Sequence, residues 1–145
     1  MTASETKPSW HLYLVGTIAI AFNGFGAYSY LMTKAGDLTY FQANEYSPNQ
    51  MEFYQSYPDW AYAIWALSTF GGLLGGVLLL LKKRQAVPLI FTAFACTAIG
   101  MFTQYVILGG YEVLKDYVVL AFVFPTIAFL FLLYAKKMLR RGILS

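Results

Sequence analysis

Charge is the scarcest property of this chain. Asp, Glu, Lys and Arg make up 12% of its 145 residues, and four stretches, 10–32, 60–81, 86–108 and 117–135, contain none of them. At ~1.5 Å per residue these stretches run from about 28 to about 34 Å, against a hydrocarbon core of roughly 30 Å. Each is therefore predicted to be a transmembrane helix. There is one cysteine, Cys96, in the apolar middle of the third stretch. It excludes an intrachain disulfide and a thiolate-rich metal site. His11 is the one histidine, so a haem would lack the second histidine that a b-type site commonly uses; the ring reads as an interfacial group at a span end. No carboxylate, lysine or arginine lies inside a span, and proton relays, voltage sensors and ion-coupled carriers commonly place such groups at depth. General acid–base catalysis needs positioned titratable groups as well. The expectation is a non-enzymatic protein with no catalytic residues, no cofactor and no metal.

What the chain does have is apolar surface: 59% of residues are hydrophobic and 19% aromatic. Four spans and three connections use nearly all of it, which predicts a single domain over 1–145, an all-α antiparallel bundle of four transmembrane helices in the lipid bilayer. The aromatics gather near span ends and in the first loop, where amphipathic rings suit the headgroup layer. The first span resembles a signal peptide only superficially. Its apolar run is too long for an h-region, and Phe25-Gly26-Ala27 puts a bulky residue where a cleavage site wants a small one.

Divided by loop, the net charge of +3 carries a second signal. Lys7, Lys82, Lys83, Arg84, Lys136, Lys137, Arg140 and Arg141 all fall on one side of an alternating bundle; Lys34 and Lys115 fall on the other, with six of the seven acidic residues. The positive-inside rule then places both termini in the cytoplasm. These basic residues hug span ends with no reading module around them, so no nucleic-acid partner is expected.

The long connection between the first two spans is not a plain linker. Ser47-Pro48-Asn49-Gln50 combines an N-cap serine, a proline at the first helical position and a glutamine three residues after the cap. Pro58 restricts Tyr57 and ends the segment, so a short external amphipathic helix is predicted over 48–56, with Phe53 and Tyr57 on one face. It is expected to lie on the outer surface of the bundle or in the headgroup layer; a lid is the functional alternative. The second span carries Gly71, Gly72, Gly75 and Gly76, two overlapping small-xxx-small pairs that favour close helix packing inside the bundle or between copies. Gly109-Gly110 signals the end of the third span, and Pro125 is predicted to kink the fourth and free the carbonyl of Ala121.

The intramembrane polar candidates are Asn23, Ser68, Thr69 and Gln104, with Cys96, Thr97 and Thr126 beside them. Asn23, Ser68 and Thr69 lie at a matching depth, about 12 to 13 Å from the outer ends at ~1.5 Å per residue. The amide of Asn23 is therefore expected to bond across to Ser68 or Thr69.

The run Phe22-Asn23-Gly24-Phe25-Gly26-Ala27-Tyr28, the segment Ser47-Pro48-Asn49-Gln50 with Phe53-Tyr54, Tyr57-Pro58 and Trp60, then Gly71-Gly72-Leu73-Leu74-Gly75 and Ala86-Val87-Pro88 resemble a family of small four-span bacterial inner-membrane proteins. The family is largely uncharacterised, and some members carry a sugar-transporter label. The likeness covers roughly residues 10–108. Relatives have tryptophan before the asparagine and an acidic residue near position 29; here Phe22 and Ser29 stand there, so no charged site is carried over. The resemblance implies a bacterial inner-membrane location and, from the label, a sugar-like solute.

Two functions are compatible with these features. The chain is read first as a membrane protein that works by helix packing, as a homo-oligomer or in a larger membrane complex, because glycine faces and aromatic surface are what it is richest in. The alternative is small-solute transport by an oligomer that encloses a path. The expected topology puts the termini and the 82–84 turn in the cytoplasm and the 33–59 loop outside. In a Cys96→Ser background, an impermeant thiol reagent added to intact cells should label Asn49→Cys and Glu112→Cys and spare Ser4→Cys; the opposite pattern would invert the topology.

Overall fold

The computed structural model describes residues 10–145. It is all-α, with no strand among the described residues, and its four long helices match the charge-free stretches. Helix α1 is Trp10–Ala35, α4 is Asp59–Leu80, α5 is Ala86–Phe102 continued by a π-helical turn Thr103–Ile107, and α7 is Leu120–Arg140. All four are long and apolar enough to cross a membrane, and the chain is a multi-pass integral membrane protein. Between them lie three short helices, α2 (Leu38–Ala43), α3 (Pro48–Gln55) and α6 (Tyr111–Leu114), and a 3-10 turn Lys115–Tyr117.

The fourth span differs most from expectation: it begins at Leu120 and runs through Lys136 and Lys137 to Arg140. The absence of charge marks where a helix can be buried in lipid, whereas the helix itself continues. Basic side chains suit its C-terminal end, where the helix dipole is negative. The helix also continues through Pro125.

Many large apolar side chains face outward, as suits a bundle surrounded by lipid, and many of the buried positions on the spans are alanine. Large side chains such as Phe25, Leu67, Phe91, Ile99, Val119 and Phe122 are more than half exposed, while Ala19, Ala27, Ala61, Ala93, Ala128 and Ala135 are buried. In lipid nothing drives helices together by hiding apolar surface, so small residues that allow backbone approach must do it. The second-span glycines serve this purpose within one chain. A Cβ on Gly75 would sit 2.7 Å from Ile90 Cγ1 of α5, one on Gly76 would sit 3.0 Å from Ile20 Cγ1 of α1, and one on Gly72 would collide with the Asn23 amide; Gly71 faces the backbone of α5 at 3.7 Å. Helix α1 answers with its own small residues, Gly16 against Leu80 and Gly26 against Thr69. The register is antiparallel and continuous: 16 with 80, 20 with 76, 23 with 72, 26 with 69.

Packing then runs α1 on α4, α4 on α5, and α5 on α7. The first and last spans are the two ends of this series, and side chains bridge them. His11 Nδ1 and Tyr134 Oη are hydrogen-bonded at 2.5 Å near the basic end, and Phe22 lies edge-on to Phe124 and tilted against Phe131. At the basic end the chain turns at Gly142 (φ +72°), and residues 142–145 fold back. Ser145 N donates to Lys82 O at 2.9 Å and Arg84 N to Ser145 O at 3.1 Å. This seats Ile143 and Leu144 in a core with Leu12, Leu79, Ala86 and Met138.

The glycines should differ in their tolerance to substitution. Gly71→Ala is expected to be nearly neutral, because the added methyl meets only ordinary contacts, whereas Gly75→Leu should destabilise by about 1–3 kcal/mol through overpacking against Ile90. Thermal unfolding in mild detergent checks the order. Equal melting temperatures for the two variants would contradict the packing.

Candidate functional site

Toward the loop end the four spans separate around a cavity of about 550 Å³. Its walls come from every span. Asn23, Gly26 and Ser29 of α1, Trp65, Ser68 and Thr69 of α4, Cys96 and Thr97 of α5, and Phe124 of α7 line it, and the π turn contributes Gln104 and Tyr105. The turn is closed by Leu108 N donating to Thr103 O at 2.9 Å. It inserts a residue into the helical ladder, a device found often at functional positions.

The three short helices and their turns form a roof over this space. Asp37 caps α2, its carboxylate accepting from Tyr40 N at 2.7 Å. Ser47 and Gln50 form the expected capping box of α3: Gln50 N donates to Ser47 Oγ at 3.2 Å, and Ser47 N to Gln50 Oε1 at 3.0 Å. The same Gln50 reaches across with Nε2 to Val113 O at 3.4 Å. Tyr62 Oη, from α4, donates to Tyr54 O at 2.7 Å and ties α3 down. Phe53 packs where Gly110 leaves room, since a Cβ there would lie 2.7 Å from its ring. The external helix thus lies on the outer end of the bundle, as expected, and is tied to it over the cavity by Gln50 and Tyr62.

Aromatic rings line much of the roof and the neighbouring wall. Phe41 and Tyr46 stack at 5.2 Å, Tyr46 and Tyr54 at 5.8 Å, and Tyr62 and Trp65 are nearly parallel at 6.1 Å. Lys34 sits 4.6 Å from the centroid of Tyr62 and 3.6 Å from Asp59, but both charges are at the solvent-exposed rim and neither lines the cavity. No Asp, Glu, Lys, Arg or His is among the lining residues.

Of the predicted polar residues, Asn23, Ser68, Thr69, Cys96, Thr97 and Gln104 line this cavity, whereas Thr126 is exposed on α7 and donates to Phe122 O at 2.6 Å; the bonding of Asn23 also needs correction. Asn23 does not bond across to Ser68 or Thr69. Its Nδ2 donates to Ala19 O of its own helix at 2.8 Å, Ser68 Oγ donates to Trp65 O at 2.8 Å, and Thr69 Oγ1 points to Trp65 O and Ala66 O at 3.2 and 3.3 Å. A carbonyl three or four residues back is always within reach of a short polar side chain in a helix, and it removes the need for an interhelical partner. Gln104 is tied to no backbone carbonyl among the described residues. Matching depth correctly grouped these residues around one space. It misassigned their bonds.

Several lining residues escaped the sequence reading: Tyr40, Asn44 and Tyr46 on and after α2, Tyr105 on the π turn, and Tyr117. The cap signal for α2 is present in Asp37, three residues before Tyr40, but a helix of six residues has too few turns to show a period. No residue pattern announces the π turn.

Burial in the roof changes the chemistry of its phenols. Tyr54 is held well above the ordinary tyrosine range by burial, and then by the neighbouring phenols of Tyr46 and Tyr57. Burial, then Tyr62, pushes Tyr57 up to about 12, and Tyr46 is raised by burial and by Tyr40. All three stay neutral at physiological pH, so the cavity is uncharged on every side. Comparison with protein-family models, curated proteins and solved structures finds no match for this chain.

These phenols set an alkaline limit on stability. Below pH ~10 they are protonated in both folded and unfolded chains and contribute no pH dependence. Between that pH and the raised folded values the unfolded chain loses protons that the folded one keeps, so stability falls as pH rises. Tyrosinate absorbance at about pH 11 should fall short of that of denatured protein by at least these three phenols. Full ionisation without unfolding would show that the roof is open to water.

Proposed function

We propose that this chain is a non-enzymatic solute-binding protein of the bacterial inner membrane that admits a small, uncharged, sugar-like molecule to the roofed cavity and passes it across the bilayer, with the roof outside and both termini in the cytoplasm. The observation that carries this reading is a ligand-sized space in which aromatic faces and amides occur together without a single ionisable acid or base of the usual kind. Cavities that bind small molecules commonly measure about 300–1,000 Å³ and combine apolar walls with a few convergent polar groups. A polyhydroxylated ring suits such walls: its C–H faces pack on Trp65 and the tyrosines, and its hydroxyls meet Gln104, Ser29 and Asn44. A charged solute suits them poorly, since desolvating an unpaired ion costs several kcal/mol.

The residues that face the cavity also support the non-enzymatic reading, because phenols and one thiol are the groups there that titrate. The space lies within one chain, so binding needs no oligomer to enclose it. The glycine faces that suggested assembly with copies or a larger complex are covered by α1 and α5.

The test is fluorescence of Trp65 in detergent-solubilised protein carrying Trp10→Phe and Trp60→Phe. Neutral hexoses and polyols should perturb it saturably, and Gln104→Leu should weaken the effect about tenfold, the loss of one or two kcal/mol of hydrogen bonding. Binding of choline or betaine in preference to the neutral compounds would replace the proposed solute with an organic cation held on ring faces. Absence of any saturable response across the panel would remove the reading.

A further inference from the structure

Below the main cavity, toward the basic end, lies a second and much smaller one of about 20 Å³. Phe22, Asn23 and Thr97 belong to the linings of both. The two spaces therefore adjoin at these three residues. Past them the inner helix faces are kept clear by Ala19, Gly72, Ala93 and Ala128, and the space ends at Ile90 and Phe131. Ile90 is itself part of the basic-end core that contains Ile143 and Leu144, and Phe131 packs against it.

The three shared residues are held differently. Asn23 is fixed by its bond to Ala19 O and by the notch that Gly72 leaves for its amide. Thr97 Oγ1 donates to Ala93 O at 2.7 Å. Phe22 has no hydrogen-bonding side chain to fix it, and its ring lies 5.8 Å from that of Phe124 and 6.1 Å from that of Phe131 between centroids. Those two partners stand on either side of Pro125 in α7. Proline gives no N–H to the carbonyl four residues back, so the helix bends there more easily than elsewhere.

From this arrangement we infer that Phe22 is the gate between the binding cavity and an inner vestibule, and that flexing of α7 at Pro125 opens it by parting Phe124 from Phe131. The inference rests on the solute-binding reading for its purpose, but its test needs no solute. With Phe22 in place the path is closed: the vestibule is too small for a sugar-sized molecule, and the basic-end core seals it beyond. When the ring leaves, the two spaces become one, floored by small residues.

In a Cys96→Ser background, Ser29→Cys reports on the cavity and Ala128→Cys on the vestibule. In solubilised protein a small methanethiosulfonate reagent should modify Ser29→Cys at least about tenfold faster than Ala128→Cys, because thiol reactivity follows access. Phe22→Ala should raise the Ala128→Cys rate by about tenfold while leaving Ser29→Cys unchanged, and Phe22→Leu should fall between. Pro125→Ala, with Phe22 intact, should slow the Ala128→Cys reaction further. Thermal unfolding of each variant identifies any that fail to fold, and Phe22→Leu, which keeps much of the apolar volume, carries the test if Phe22→Ala is among them. Equal rates at the two positions in the presence of Phe22, or no response to either substitution there, would overturn the gate. Failure of the Trp65 titration, with these labelling rates as expected, would instead remove the solute and leave the gate standing.

Discussion

Backbone-to-backbone approach between α1 and α4 is the constraint from which the rest of this structure follows. In the basic half Gly72, Gly76 and Gly16 let the two helices come together, and the same stretch of α4 turns Gly71 and Gly75 to α5. Past the close approach of Gly26 to Thr69, toward the loop end, rings take over: Tyr30 meets Tyr62 and Trp65 at about the same place along the pair. Small residues close one end of the bundle and large ones hold the other open. The cavity sits in one half because the residue sizes along one helix change partway down.

An opening of that kind in a membrane protein needs a cover, and the chain supplies one from material suited to the interface. Phenols have large apolar faces and a polar edge, so Tyr40, Tyr46, Tyr54 and Tyr57 can pack against each other and against Trp65 without an intervening charge. Tyr62 uses its hydroxyl to accommodate a backbone carbonyl of the roof. The single ion pair described, Lys34 with Asp59, lies in water at the rim and contributes little to holding the cover. Packing and a few side-chain-to-backbone bonds do that work.

Much of this was legible in the sequence, for identifiable reasons. The spans follow from uninterrupted apolar runs, the α3 helix from Ser47, Pro48 and Gln50, and the packing strip on α4 from its glycines. What remained hidden depended on pairs of elements. Gly16 and Gly26 are unremarkable until α1 is laid antiparallel to α4, and the glycine strip could not reveal whether a neighbour in the same chain or a second copy would fill it. Asn23 was placed beside the right residues and given the wrong bonds, because depth along a helix fixes height but not which acceptor is nearer. The roof is assembled from helices of four to eight residues whose order comes from contacts far away in sequence.

The habit of the intramembrane polar groups of bonding to their own helix has a consequence for how the protein is made. Spans leave the ribosome one after another, and α7, which completes the cavity wall, is the last of the four. Until it arrives, Asn23, Ser68, Thr69 and Thr97 would be exposed to acyl chains, where an unsatisfied polar group is costly. Because each already uses a carbonyl three or four residues behind it, every span can enter the bilayer with these groups satisfied and wait for its neighbours. These four cavity-lining groups are thereby compatible with each stage of the protein's assembly.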